Sequence, residues 1–328
     1  YIERITPVNI FIRFLLYFRP WYWLSILIRY KRVPDIIHAE HIFTFITGLF
    51  LKKLWNRPLV LVLHNAEHDL IEQIHGKFMG NIAKKLMRLA INSADIIVCV
   101  SELDKESLQK DFNIKEIVVI PNSINLNRYE KNENDIADIK SNLNIKDNQH
   151  IIFFHGLLSY PPNKEALIFI IEEIIPRVCS INMNIKFIVA GPNPEGISYE
   201  NDSLIITGSV EDISSYIHLG EICIVCIKKG GGTKLKLLEY LACGKPVVTT
   251  SKGMEGIELI PNAHLIVADD WEEFSHAIID LLSNKEQREK LSKNGKQLIR
   301  EKYSWDINAR KYFEIYEKLA SKYGDDKL

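Results

Sequence analysis

The chain has 328 residues, 47% hydrophobic and 25% charged, with 41 basic and 42 acidic side chains and a formal charge of −1. This length exceeds one typical core and implies a two-domain globular α/β protein, and the near-zero charge excludes the broad basic footprint of a nucleic-acid binder. The five cysteines, odd in number and set mostly in apolar runs, fit reduced, buried thiols in the cytoplasm better than a disulfide framework.

Taken in chain order, the first feature is the apolar, aromatic stretch from Val8 to Ile28, interrupted by Arg13, Arg19 and Pro20. The interruptions argue against a spanning helix, which needs about twenty predominantly apolar residues. Two readings stay open: a basic aromatic segment over residues 8–32 lying on an anionic membrane surface, or a pair of helices buried in the first domain. The chain starts at Tyr1 and shows no opening strand with a glycine-rich turn, so the N-terminal domain is expected to be incomplete.

Short β-branched runs then alternate with amphipathic helices, the pattern of parallel sheets built from βαβ units. Strands are expected at Asp35–His38, Leu59–His64, Ile96–Val100 and Ile117–Ile120, forming a first domain over residues 1–127. A second domain over residues 128–305 is expected to hold strands Ile151–His155, Lys186–Ala190, Leu204–Thr207, Ile222–Ile227, Pro246–Thr249 and His264–Val267. Between the two sets lies Arg128–Gln149, polar and rich in Asn, Asp and Lys, which reads as a linker and the helix opening the second domain. A last helix, Asp306–Tyr323, carries an apolar stripe of Ile307, Tyr312, Phe313, Ile315, Tyr316 and Leu319. Cys223 and Cys226 have metal-pair spacing, but in a strand that spacing sends them to opposite faces, so both read as core residues.

The segment richest in chemistry runs from Lys228 to Thr250. Gly230, Gly231, Gly232 and Thr233 form a loop that lets backbone N–H groups approach an anion, and the helix behind it aims its positive dipole end at the same place. Lys234 and Lys236 in its first turn add mobile positive charge, and Glu239, on the helix face of Lys236, is placed to accept hydrogen bonds from a sugar. The competing reading is an ordinary helix start with a solvated lysine face.

This segment, with Glu239 followed by Ala242-Cys-Gly244-Lys-Pro246-Val247-Val248, resembles the signature of the family 4 glycosyltransferases. Further pieces of that family's pattern follow in order: Pro34-Asp-Ile-Ile-His38, Leu61-Val-Leu-His64-Asn65, Ser93-Ala-Asp95, Ile120-Pro-Asn122, Phe154-His-Gly156, Ile188-Val-Ala-Gly191 and Thr207-Gly208-Ser-Val210-Glu-Asp212. Tyr160-Pro-Pro-Asn163 and Gly253-Met-Glu255-Gly256 resemble the branch that acts in surface-polysaccharide pathways. The resemblance implies the GT-B architecture, two Rossmann-like domains with parallel sheets facing across a cleft and a C-terminal helix, here residues 306–328, crossing between them. It also implies a retaining glycosyltransferase that moves a sugar from a nucleotide diphosphate-sugar to a saccharide or lipid-linked acceptor. Neither cofactor nor metal is expected, because the sequence has no metal-dependent Asp-x-Asp element and the glycine loop, helix dipole and lysines offset the leaving group's charge.

By the same resemblance the donor would contact Gly156, Gly230, Gly231, Gly232, Thr233, Lys234, Lys236 and Glu239, with Glu239 on the ribose and His64 facing the sugar across the cleft. His64 also stands at the carboxyl end of a parallel strand, where open α/β folds place ligands. His38, at another strand end, reads as structural. Two departures from the family stand out: Gly231 occupies the position of a first glutamate, and Leu157 that of an arginine for which Lys164 or Lys234 would substitute. The alternatives are a nucleotide-sugar epimerase of the same architecture, an inactive homologue and, more remotely, a zinc metalloprotease suggested by His64-Asn-Ala-Glu67-His68. The expected location is the cytoplasm, with peripheral contact to the membrane's inner face through residues 8–32.

Overall fold

The computed structural model describes residues 33–65, 67–114, 116–181, 184–199 and 202–324. The membrane-surface segment over 8–32 and the question of an opening strand lie outside them. Packing divides the chain into two units, one running up to Ile120 and taking in the chain from Lys311 onward, the other spanning Pro121–Arg310.

The first unit contains a parallel sheet of β1 (Ile37–Glu40), β2 (Leu59–Leu63), β3 (Ile96–Cys99) and β4 (Val118–Val119), paired in sequence order. All five residues of β2 are buried, as expected of a central strand covered on both faces. On one face Leu59, Leu61 and Leu63 join Phe45, Met87 and Ala90 from the flanking helices. On the other, Val60, Val62 and Val98 meet Ile315 and Leu319 of the last helix.

The second unit holds β5 (His150–His155), β6 (Ile185–Ala190), β7 (Leu204–Gly208), β8 (Ile222–Val225), β9 (Val247–Thr249) and β10 (Ile266–Val267) in the order β10-β9-β8-β5-β6-β7. The chain therefore winds one way from β5 to β7, returns, and winds the other way from β8 to β10. The reversal between β5 and β8 opens a crevice at the carboxyl ends of those strands, the usual ligand position in this kind of sheet.

All ten expected strands form, shifted at their ends by up to two residues. His38 consequently lies inside β1 rather than at its end, and its Nδ1 is 2.6 Å from the Tyr316 hydroxyl. The polar stretch after Arg128 is no loose linker. Tyr129 closes a 3-10 turn, Leu126–Tyr129, and is buried with Ile136 and Ile145 in the second unit's core. Cys223 and Cys226 are fully buried, and burial pushes the Cys226 thiol up to about 12.

The last helix runs Trp305–Gly324. Its start is tied within the second unit, where Trp305 Nε1 donates to the Ser123 carbonyl (2.9 Å) and Asn308 Nδ2 to the Ser123 hydroxyl (2.6 Å). Its stripe is narrower than expected. Tyr312, Ile315, Tyr316 and Leu319 recur at helical spacing and pack inward, whereas Phe313, about 100° away from Tyr312, is 61% exposed. Among the described residues no helix is long and apolar enough to cross a membrane.

Candidate active site

A polar cluster of the second unit sits at the switch in strand order. Strand β5 ends with His155, Gly156 turns away from it, and the stretch after β8 leads into the glycine loop and the helix Leu235–Ala242. Close approach explains the glycines here. A side chain on Gly156 would collide with Asn163 and lie 3.0 Å from Lys236 Nζ, and one on Gly191 would overlap the Gly156 carbonyl. Gly230 and Gly232 adopt φ values of 101° and 70°, which L-residues with side chains rarely reach.

Lys236 departs from the mobile surface charge expected of it. Its Nζ donates to Asn163 Oδ1 at 2.8 Å and lies 4.2 Å from the centre of the Phe154 ring. Asn163 is itself buried and fixed by a bond from Nδ2 to the Leu157 carbonyl (3.0 Å). Among the described residues the ammonium makes no ion pair. Burial, opposed by Cys226 and Glu239 and aided by Lys234, lowers its pKa to about 7.

Lys234 stands at the N-cap position, before the helix begins, and its ammonium reaches back to the Gly231 and Gly232 carbonyls at 3.2 and 2.6 Å. The loop is tied at its far end by Asn122 Nδ2, which donates to the Thr233 hydroxyl at 2.5 Å. With the loop carbonyls turned to Lys234, no partner among the described residues takes the N–H groups of Gly230, Gly231, Gly232 and Thr233. The helix N-terminus likewise lacks a side-chain cap.

Glu239 lies one turn further along. Tyr129 donates its hydroxyl to Oε1 at 2.9 Å, and His155 Nε2 is 2.9 Å from Oε2. Burial raises the carboxyl pKa, opposed by the Tyr129 bond and the charges of Lys236 and Arg128. Of the two lysines expected to replace an arginine after the Phe-His-Gly turn, Lys234 holds the loop carbonyls described above. Lys164 pairs with Glu195 at 2.5 Å, and Lys236 is the lysine that reaches the turn through Asn163.

His64 belongs to the first unit and follows β2 directly. Its ring stacks on His41 at 4.4 Å, and its Nε2 is 3.8 Å from the Glu40 carboxylate, which also lies 3.6 Å from His38. His41 opens the next helix at φ 63°, an uncommon conformation for a residue with a side chain. The strand ends at Leu63 and the following helix starts at Glu67, so His64 and His68 do not share a helix as the zinc-protease pattern requires.

The sequence reading missed His155, Tyr129 and Asn163 as site residues. His155 and Asn163 stood inside motifs already singled out, so their neighbourhood was the available signal. Tyr129, 110 positions from Glu239, had none.

Comparison with known proteins identifies the family and the fold. The family profile "Glycosyltransferase Family 4" matches residues 1–128, and "Glycosyl transferases group 1" matches residues 149–284. An uncharacterized glycosyltransferase of Methanocaldococcus jannaschii is 24% identical over 319 residues, 92% of this chain and 79% of its own length. The lipopolysaccharide 1,2-N-acetylglucosaminetransferase of Salmonella typhimurium is 24% identical over 283 residues, 78% of this chain and 71% of its own. Among solved structures, Anabaena HepE in complex with UDP superposes with a TM-score of 0.74 at 15% identity, covering 90% of this chain and 82% of that one. The chain belongs to the family 4 glycosyltransferases, glycosyl transferases group 1, and carries the GT-B fold with its two parallel-sheet α/β units.

Proposed function

We propose that this glycosyltransferase takes its sugar from a nucleoside diphosphate-sugar and transfers it, with retention of configuration and without a divalent cation, to a saccharide or lipid-linked acceptor. The observation that carries the reading is Lys236: an ammonium held by an amide and an aromatic face which, among the described residues, has no counter-ion and stands beside a row of backbone N–H groups without partners. A partly buried cation without an anion is costly, and a diphosphate supplies the missing partner. The phosphates then rest on Gly230, Gly231, Gly232, Thr233 and the uncapped helix start, with Lys234 at the loop's edge. Glu239 accepts the ribose hydroxyls.

In the reaction, the bond from C1 to the phosphate oxygen breaks with its electron pair leaving on the diphosphate, while the acceptor oxygen bonds C1 from the same face. The acceptor's proton passes to the departing phosphate oxygen. Lys236 and the loop amides stabilise the charge as it develops, the contribution that usually dominates such steps. His64 is the catalytic group of the first unit, supported by its position at a strand's carboxyl end.

Solved neighbours carrying UDP or UDP-glucose support a nucleotide donor. Relatives named as a lipopolysaccharide N-acetylglucosaminetransferase and an alpha-monoglucosyldiacylglycerol synthase support a surface-polysaccharide or lipid-linked acceptor. The same reading sets the enzyme in the cytoplasm at the inner membrane face. The test is to incubate the full chain with UDP-, GDP- and ADP-glucose in EDTA, following nucleotide release and, by NMR, the anomeric configuration of the product. One donor is expected to be consumed, with its configuration kept. Loss of activity in EDTA, or inversion, would overturn the mechanism.

A further inference from the structure

The way the Glu239 carboxylate is held carries a consequence for the ligand it selects. Each oxygen has one fixed neighbour: Tyr129 Oη on Oε1 and His155 Nε2 on Oε2, both at 2.9 Å. Two separate scaffolds set these positions. Tyr129 is buried at the end of its 3-10 turn, and its carbonyl accepts from His218 Nε2 at 2.9 Å. His155 is the last residue of β5; its backbone N–H donates to the Tyr240 hydroxyl at 3.0 Å, and its ring meets the Tyr240 ring edge-on at 5.2 Å.

The two side chains have little else to do. Among the described residues the Tyr129 hydroxyl bonds Glu239 alone, and the second ring nitrogen of His155, Nδ1, is buried without a partner. A buried nitrogen left unsatisfied is a cost, and contact with Glu239 is what the ring's placement gains. Nε2 stands 2.9 Å from Oε2 and closes one side of that oxygen. Burial, with a smaller push from the Lys236 charge, lowers the His155 pKa to about 3, so the ring is neutral beside the carboxylate. Lys236 and Arg128 are the other charges that act on Glu239.

An ionised carboxylate offers about four lone-pair sites. With one neighbour fixed against each oxygen, the Tyr129 hydroxyl on Oε1 and His155 Nε2 on Oε2, the described residues leave an open site on each, an arrangement suited to two adjacent hydroxyls. We propose that Tyr129 and His155 are positioning residues that present Glu239 as a two-hydroxyl acceptor and thereby set the site's preference for ribose over 2′-deoxyribose nucleotides. This rests on the reading of Glu239 as the ribose acceptor. A site built to hydrogen-bond a hydroxyl discriminates strongly against the analogue lacking it, because its own polar groups are then left unpaired.

The test titrates the full chain with UDP and 2′-deoxy-UDP, or the matching GDP or ADP pair if one of those binds instead. Wild type is compared with Tyr129→Phe, His155→Leu, His155→Gln and Glu239→Ala, each checked by thermal melting. Wild type is expected to prefer the ribonucleotide at least about tenfold. Tyr129→Phe and His155→Leu should each cut that preference at least about threefold while 2′-deoxynucleotide affinity stays within about twofold, and His155→Gln, which keeps a polar neighbour, should restore it. An unchanged preference in Tyr129→Phe and His155→Leu, with Glu239→Ala abolishing it, overturns the positioning role and leaves the reading of Glu239 standing. A preference that survives Glu239→Ala overturns both. Equal losses for both nucleotides would mark Tyr129 and His155 as merely structural and also overturn the proposal.

Discussion

The carboxyl edges of the two sheets differ in how they hold charge. At β5 and β8, Lys236, Glu239, His155, Tyr129 and Asn163 are partly or wholly buried, with polar contacts of 2.8–2.9 Å from Lys236 to Asn163 and from Tyr129 and His155 to Glu239. At β1 and β2, His38 and His64 lie 3.6 and 3.8 Å from a largely exposed Glu40, and stacking supplies the contact with His41. Strand order accounts for much of the contrast. The second sheet reverses direction between β5 and β8, so the chains leaving those strands part and leave room for buried charge, whereas the described strands of the first sheet follow in sequence without reversal. Under the proposed function, the buried constellation holds the charged diphosphate and the more exposed one faces the neutral sugar.

Lys236→Met strikes this contrast hardest. It should lower nucleoside diphosphate affinity by about thirtyfold or more, the cost of removing one partner of a shielded charge pair. The same change should raise the melting temperature of the ligand-free chain. Its sign follows from the pKa lowered to about 7: the unfolded chain binds this proton more readily, so stability attached to the group is lost as pH falls through 7, and methionine removes that penalty. A variant that binds weakly and also melts lower at pH 6 would contradict the account.

His64→Ala addresses the other edge. Turnover should fall about ten- to a hundredfold while nucleotide affinity stays within about twofold, since the proposed phosphate site lies in the other unit. Separate kcat and Kd measurements check this; a loss of affinity matching the loss of turnover would sink it.

A smaller effect appears with pH in the wild type. Below about 7 Lys236 is already charged and affinity should be flat, and above it binding must take up a proton, so affinity should fall by at most about tenfold per pH unit. Glu239, Lys234 and Cys226 are the titratable groups acting on this lysine. Titration at pH 8 in buffers of different ionisation enthalpy should report uptake approaching one proton, and no uptake would refute the charge state assigned to Lys236.

The smallest effect separates two neighbours on the last helix. Phe313→Ser should change stability within about 0.5 kcal/mol, whereas Ile315→Ala should cost about 2–4 kcal/mol in urea unfolding. Equal costs would mean that the helix is rotated from the position described.

Much of the fold was legible because Leu59–Leu63, Ile151–His155 and Ile222–Ile227 are apolar, β-branched or aromatic runs too short for helices and bounded by turns. The glycine loop and Glu239 were legible for a related reason, since their chemistry is local in sequence. Tyr129 was not, because its role depends on a carboxylate 110 positions away and its own surroundings read as polar linker. The state of Lys236 was hidden as well. Residue type fixes its charge, but only the fold shows that Asn163 and Phe154 enclose it. Phe313 was misassigned because an apolar residue beside a stripe looks like part of it until the helix is seated.

The central claim is that the second unit holds a metal-independent nucleotide site centred on Glu239 and Lys236. Calorimetric titration of the full chain with UDP, GDP and ADP in EDTA, alongside Glu239→Ala, tests it most directly. Saturable binding of one nucleotide is expected, weakened about tenfold or more in a variant that still folds, as loss of charge-assisted hydrogen bonds requires. No binding by the folded wild-type chain, or equal binding by the variant, would contradict it.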